Sequence, residues 1–71
     1  MKRRDAINPP HYQGRGGLQG IDVVEAFELG FHLGNALKYI LRCGKKPGAD
    51  PVEDLKKARW MIDREIARRA R

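Results

Sequence analysis

Apolar residues show no period over residues 1–20 and then recur at helical spacing to the end of the chain. The first stretch closes on Pro9-Pro10-His11-Tyr12-Gln13-Gly14-Arg15-Gly16-Gly17-Leu18-Gln19-Gly20, which predicts an extended arm. The prolines bias Asn8 and Pro9 toward extended backbone, and the glycines give the arm reach. Asp22 with Glu25 three residues on predicts a capped helix start, followed by Val23, Val24, Ala26, Phe27 and Leu29 as a short apolar helix ended or kinked at Gly30. From Phe31 to Cys43 the residues Leu33, Leu37, Ile40 and Leu41 fall at i, i+4, i+7 and i+8, one face of a second helix. Gly44 stands where a left-handed cap belongs, with Arg42 and Lys45 at the carbonyl end of the helix dipole. Gly34, inside that helix, costs about 1 kcal/mol relative to alanine, a cost that close approach of another backbone or a ligand would offset.

Residues 45–49 form a turn. Asp50-Pro51-Val52-Glu53 then combines an N-cap, a proline at the first helical position and an acid at the third. The third helix runs to Ala67 or beyond, and its predicted inner stripe is Leu55, Ala58, Ile62 and Ile66, with Met61 at the edge. The predicted fold is all-α: an arm over residues 1–20, then a small helical domain over residues 21–71 made of one short helix and an antiparallel helical hairpin. There is no internal repeat and nothing that reads as a strand pair.

Size changes this picture in one respect. A chain of 71 residues buries only about 60% of its unfolded surface. Ordering costs of roughly 1.5 kcal/mol per residue leave such a balance near zero. Cys43 is the one cysteine, and with His11 and His32 it has no zinc spacing. With no disulfide or structural metal in prospect, the expected staple is self-association as a homo-oligomer.

Charge narrows the partner. Fifteen Lys and Arg against nine Asp and Glu give a net charge of +6, which suits phosphate-bearing ligands as well as simple solubility. The cations cluster at Lys2-Arg3-Arg4, from Lys38 to Lys46, and from Arg64 to Arg71. No apolar run approaches the ~18 residues of a membrane span, and no apolar stretch follows the basic N-terminus as in a signal peptide. The expected location is the cytoplasm, without a membrane partner.

Several chemistries are excluded. The glycine-rich stretch has no Gly-Lys-Ser/Thr and follows no strand, so it is neither a Walker loop nor a dinucleotide fingerprint. The chain contains no Ser or Thr, and Cys43 has no evident orienting acid. What remains is a polar face on the second helix: Asn35, Lys38 and Arg42 at i, i+3 and i+7, with Tyr39 beside Lys38. Arginine grips phosphate through two donors, lysine adds a point charge, the amide reads a base or sugar edge, and tyrosine stacks. Spacing alone equally allows a solvated polar face with Tyr39 half-buried. Glu53 and Asp54 open the third helix, where acids either stabilise the helix start or hold Mg2+. Trp60 lies off the inner stripe, as a subunit contact or a stacking platform.

The run His11-Tyr12, then Ile21-Asp22-Val23-Val24-Glu25-Ala26-Phe27, then Leu33-Gly34-Asn35-Ala36-Leu37-Lys38-Tyr39-Ile40-Leu41-Arg42 resembles the small SaV-like family of phage and prophage proteins. The likeness continues through Gly44-Lys45-Lys46 and Glu53-Asp54-Leu55-Lys56-Lys57-Ala58 to Trp60 and Glu65, about residues 8 to 66. The family's function is unassigned. A related domain occurs in the nucleotide kinase of T-odd podophages, a considerably longer protein that lacks a Walker loop and works as a large oligomer.

The resemblance implies a nucleotide-handling site carried over onto His11, Tyr12, Asn35, Lys38, Tyr39, Arg42, Lys45 and Lys46, with Glu53 and Asp54 as the magnesium-holding pair if the chain is an enzyme. The favoured reading is a phage-type protein that binds or sequesters a nucleotide or nucleotide-derived signal, with His11-Tyr12 delivered by the arm. The alternatives are magnesium-dependent phosphoryl transfer to deoxynucleoside monophosphates, and nucleic-acid binding through Arg64, Arg68, Arg69 and Arg71. A third is an interaction module working through Trp60 and the arm. The basic segment Arg64 to Arg71 is not part of the family pattern.

Overall fold

A computed structural model describes residues 14–45 and 47–71. Among the described residues the regular elements are three α-helices: α1 over Gly20–Ala26, α2 over Phe31–Arg42 and α3 over Pro51–Ala70. A short 3-10 turn at Arg15–Gly17 precedes α1. His11, Tyr12 and Lys46 lie outside the described residues, as does the arm before residue 14.

The caps explain where the helices start. Asp50 accepts a hydrogen bond from the Val52 amide at 3.0 Å, and Pro51 occupies the first helical position, as the sequence predicts. α1 begins earlier than Asp22. Gln19 is its N-cap, the Gln19 side chain accepts from the Asp22 amide, and the Gln19 amide donates to Asp22 Oδ2 at 2.9 Å. Asp22 is therefore the third residue of a reciprocal box and not its cap. α2 ends at Arg42, and Gly44 follows at φ 73°, the left-handed geometry that relieves the last turn without a Cβ penalty.

α2 and α3 pack as an antiparallel hairpin, while α1 leans on the back of α2, where Val24 lies against Gly34. A Cβ at Gly34 would sit 3.7 Å from both Val24 methyl carbons, an ordinary contact, so no close backbone approach requires glycine there.

The inner face of α3 differs from the apolar stripe. The residues buried against α2 are Asp54, Ala58, Met61 and Glu65. Ala58 and Met61 meet Ala36 of α2 in a three-residue apolar core, with Tyr39 packed at its edge. Leu55, Ile62 and Ile66 are 50%, 39% and 59% exposed. Polar contacts at both ends turn the helix this way: the Arg42–Asp54 ion pair near the turn and the His32–Glu65 hydrogen bond at the open end. Between them two alanines allow close approach of the helices. Buried carboxylates need partners, and these partners exist only with the acidic stripe turned inward.

Candidate functional site

Asn35, Lys38, Tyr39 and Arg42 lie along one flank of α2, and Arg42 is taken by α3. Arg42 donates through Nε (3.2 Å) and Nη2 (2.7 Å) to Oδ1 of Asp54, whose side chain is 3% exposed. Asp54 is placed for this because it enters α3 one turn after the Asp50 cap, at the level where α2 ends. Arg42 is thus neutralised and oriented rather than extended into solvent. Glu53 is exposed and Asp54 buried, so the two carboxylates of the magnesium reading stand in different environments. Among the described residues no three metal-ligating side chains converge.

Tyr39 is the centre of the face. Its ring is half-buried against the core, and three cations surround it. The Arg42 guanidinium carbon is 5.0 Å from the ring centroid, Lys38 Nζ 5.2 Å and Lys57 Nζ 5.7 Å. These are cation–π distances. Lys38 and Lys57 are exposed, and neither makes an ion pair among the described residues. Asn35 lies one turn before Tyr39 and donates Nδ2 to the Phe31 carbonyl at 2.8 Å, leaving its side-chain oxygen to accept from elsewhere. Lys45 is exposed beyond the helix end, where its amide donates to the Arg42 carbonyl.

Lys57 is the residue that spacing on α2 alone could not supply. Its signal is positional: it follows Asp54 by three residues, so any pairing of Asp54 with Arg42 brings Lys57 toward Tyr39. Trp60 and Arg64 continue the same flank of α3, with the Arg64 guanidinium 5.4 Å from the Trp60 ring centroid.

A second cluster closes the open end of the hairpin. Glu65, buried, accepts from Arg68 Nη2 at 2.7 Å and Nε at 3.2 Å, from Arg69 Nε, and faces His32 Nδ1 at 3.1 Å. The hydrogen bonds from Arg68 and Arg69, with His32 adding to them against the cost of burial, lower the Glu65 carboxyl to about 2. The same contact raises Arg68. Of the four arginines of the nucleic-acid reading, Arg68 and Arg69 are therefore tied to Glu65, Arg64 lies over Trp60, and Arg71 is exposed at the helix end.

The profile of a family described as protein of unknown function (DUF3310) matches residues 7–63. The chain belongs to this family. No curated protein and no solved structure matches it. The DUF3310 span takes in the Tyr39 cluster with Lys38, Arg42, Asp54 and Lys57, and it stops short of Glu65 and the arginines that follow Asp63. Among the described residues no helix is long and apolar enough to cross a membrane.

Proposed function

We propose that the chain is a small nucleotide-binding protein whose site is the Tyr39 face of the hairpin. The observation that carries this reading is the crowding of three cations from two helices around one half-buried aromatic ring, of which, among the described residues, Arg42 alone is paired with a carboxylate. Two ammonium groups, 5.2 and 5.7 Å from one ring centroid, are positive charges that a phosphate at the ring would offset. Lys38 and Lys57 act as the phosphate clamp, the Tyr39 ring offers an edge or face to a base, and the Asn35 amide oxygen accepts from a base or sugar. Arg42, tied to Asp54, holds its guanidinium beside the ring. Lys45, exposed after the end of α2, is a further phosphate contact of this reading, and the family resemblance adds His11, Tyr12 and Lys46 to it.

The resemblance to small phage and prophage proteins, and through them to a domain of a Walker-less nucleotide kinase, supports a nucleotide as the ligand and the bacterial cytoplasm as its setting. Binding is favoured over phosphoryl transfer because Asp54, one of the two carboxylates of the magnesium reading, is engaged by Arg42. The same reading has the chain acting as a homo-oligomer, since the three buried apolar side chains among the described residues make a small core. Calorimetry with a panel of mononucleotides tests it. Micromolar binding should appear for at least one nucleotide, about −8 kcal/mol, and Lys38→Ala with Lys57→Ala should abolish it. Unchanged binding in that double variant would sink the site assignment, and magnesium-dependent turnover would select the kinase reading.

Trp60 and Arg64 beside Lys57 favour one second reading, binding of single-stranded nucleic acid along the same flank. It predicts retention on DNA or RNA that falls steeply with salt and weakens in Trp60→Ala.

A further inference from the structure

α3 carries two stripes of side chains at helical spacing. One is buried against α2. The other, Val52, Leu55, Ile62 and Ile66, is 39–59% exposed. At about 100° per residue the two stripes lie roughly 110° apart around the helix. Positions 52, 55, 59, 62 and 66 step alternately by three and four residues, the 3.5-residue seam along which helices wrap one another. Ile40 of α2, 48% exposed, lies on the same side of the hairpin, and the Tyr39 face lies on the other.

We infer that this seam is the contact between two copies of the chain, with their α3 helices packed antiparallel about Arg59. Three features of the molecule select a second copy as the occupant. The first is need: among the described residues the buried apolar side chains are Ala36, Ala58 and Met61, while the large aliphatic side chains on α3 stay half-exposed.

The second is self-complementarity. The seam reads nearly the same outward from residue 59 in both directions, so an antiparallel pairing sets Val52 against Ile66 and Leu55 against Ile62 of the other copy. A twofold contact requires a patch that matches itself in this way.

The third is charge. Lys56 and Asp63 flank the seam on its outer side, and both are exposed. Antiparallel pairing about residue 59 brings Lys56 of each copy to Asp63 of the other, two opposite-charge contacts related by the twofold axis. In a parallel pairing the positions facing Lys56 and Asp63 are Pro51 and Ala58, which carry no charge. Arg59 meets its own copy on the axis. Its stem covers apolar surface while its guanidinium reaches outward, and Asp63 lies one turn along the same helix. The contact leaves the Lys38–Tyr39–Lys57 face open on both copies, so it stands or falls independently of the nucleotide reading.

Sedimentation velocity across a concentration series tests the inference. The wild type should sediment as a dimer or an even multiple at tens of micromolar (~10–100 µM, a range in which micromolar affinity saturates). Leu55→Glu and Ile62→Lys should sediment as monomers with helical circular dichroism retained. Lys56→Asp replaces two attractive contacts with two repulsive ones and should raise the dissociation constant roughly tenfold. The swap Lys56→Asp with Asp63→Lys should restore it. A monomeric wild type, self-association indifferent to Leu55→Glu and Ile62→Lys, or a double swap as weak as the single change would each overturn the inference. Should the aliphatic variants lose helicity, the charge swap decides alone, because both of its positions are exposed and polar.

Discussion

Replacing Asp54 by alanine should nearly unfold the protein. Asp54 is 2% exposed and accepts two hydrogen bonds from Arg42, whose own side chain is 14% exposed. The substitution leaves a guanidinium shielded from water without its carboxylate. Breaking a buried pair from one side costs about 3–5 kcal/mol. A chain of 71 residues has a total stability of about 4–11 kcal/mol at 0.05–0.15 kcal/mol per residue, so one side chain accounts for a large share. In urea, with a slope of about 1 kcal/mol per molar for a protein this small, the midpoint should fall by roughly 3 M or vanish. Asp54→Asn, which keeps shape and one acceptor oxygen, should lose less.

The double change Arg42→Met with Asp54→Leu provides the contrast. Removing both charges together avoids stranding either one, so it should be near neutral or stabilising. Urea denaturation followed by circular dichroism at a helix wavelength reads all three. A loss below about 1 kcal/mol for Asp54→Ala, or a double variant as unstable as the single one, would refute the claim that this pair orients α3.

Glu65 sets the acid limb of stability. Its folded carboxyl is lowered to about 2 from an ordinary 4.5, chiefly by Arg68 and Arg69. Its contribution is therefore fully present above about pH 4.5 and is lost as the pH falls toward 2. Melting temperatures of wild type and Glu65→Gln should differ at pH 6 and converge near pH 2 (about 4 pH units apart, spanning both titrations); curves that stay parallel would remove Glu65 from the account. Because both arginines are largely exposed, high salt should narrow the difference. Asp50→Ala should cost about 1 kcal/mol by removing the cap on the Val52 amide, read as a lower denaturation midpoint. Gly34→Ala should stabilise by about 0.5–1 kcal/mol, since the helix interior gains rigidity and the new methyl meets Val24 at ordinary distance. A loss of stability there would mean that α1 packs more tightly on α2 than this spacing allows.

The hairpin was legible because its punctuation is local. Asp50-Pro51 starts α3, Gly44 closes α2, and Phe31 to Cys43 marks α2 within one residue of its observed Phe31–Arg42. The all-helical class follows from the same signals. The inner face of α3 was not legible, for a physical reason. Periodicity finds the most apolar stripe, and on α3 that stripe is the exposed one, Val52 to Ile66. Which stripe turns inward is decided by partners on α2, since Arg42 and His32 draw in Asp54 and Glu65, and a single helix carries no record of those partners. The start of α1 was not legible either: its N-cap is Gln19, and glutamine is not among the residues, Ser, Thr, Asp and Asn, that favour this position. Lys57 escaped as a site residue because it comes from the opposite helix and reaches Tyr39 only once Asp54 has met Arg42.

The central claim is that the Tyr39 face binds a nucleotide through Lys38 and Lys57. Amide and aromatic resonances followed by NMR during titration with mononucleotides test it most directly. Saturable shifts are expected at Asn35, Lys38, Tyr39 and Lys57, and they should disappear in the Lys38→Ala with Lys57→Ala variant. Shifts confined to Arg64 through Arg71, or no shifts with any nucleotide, would contradict it.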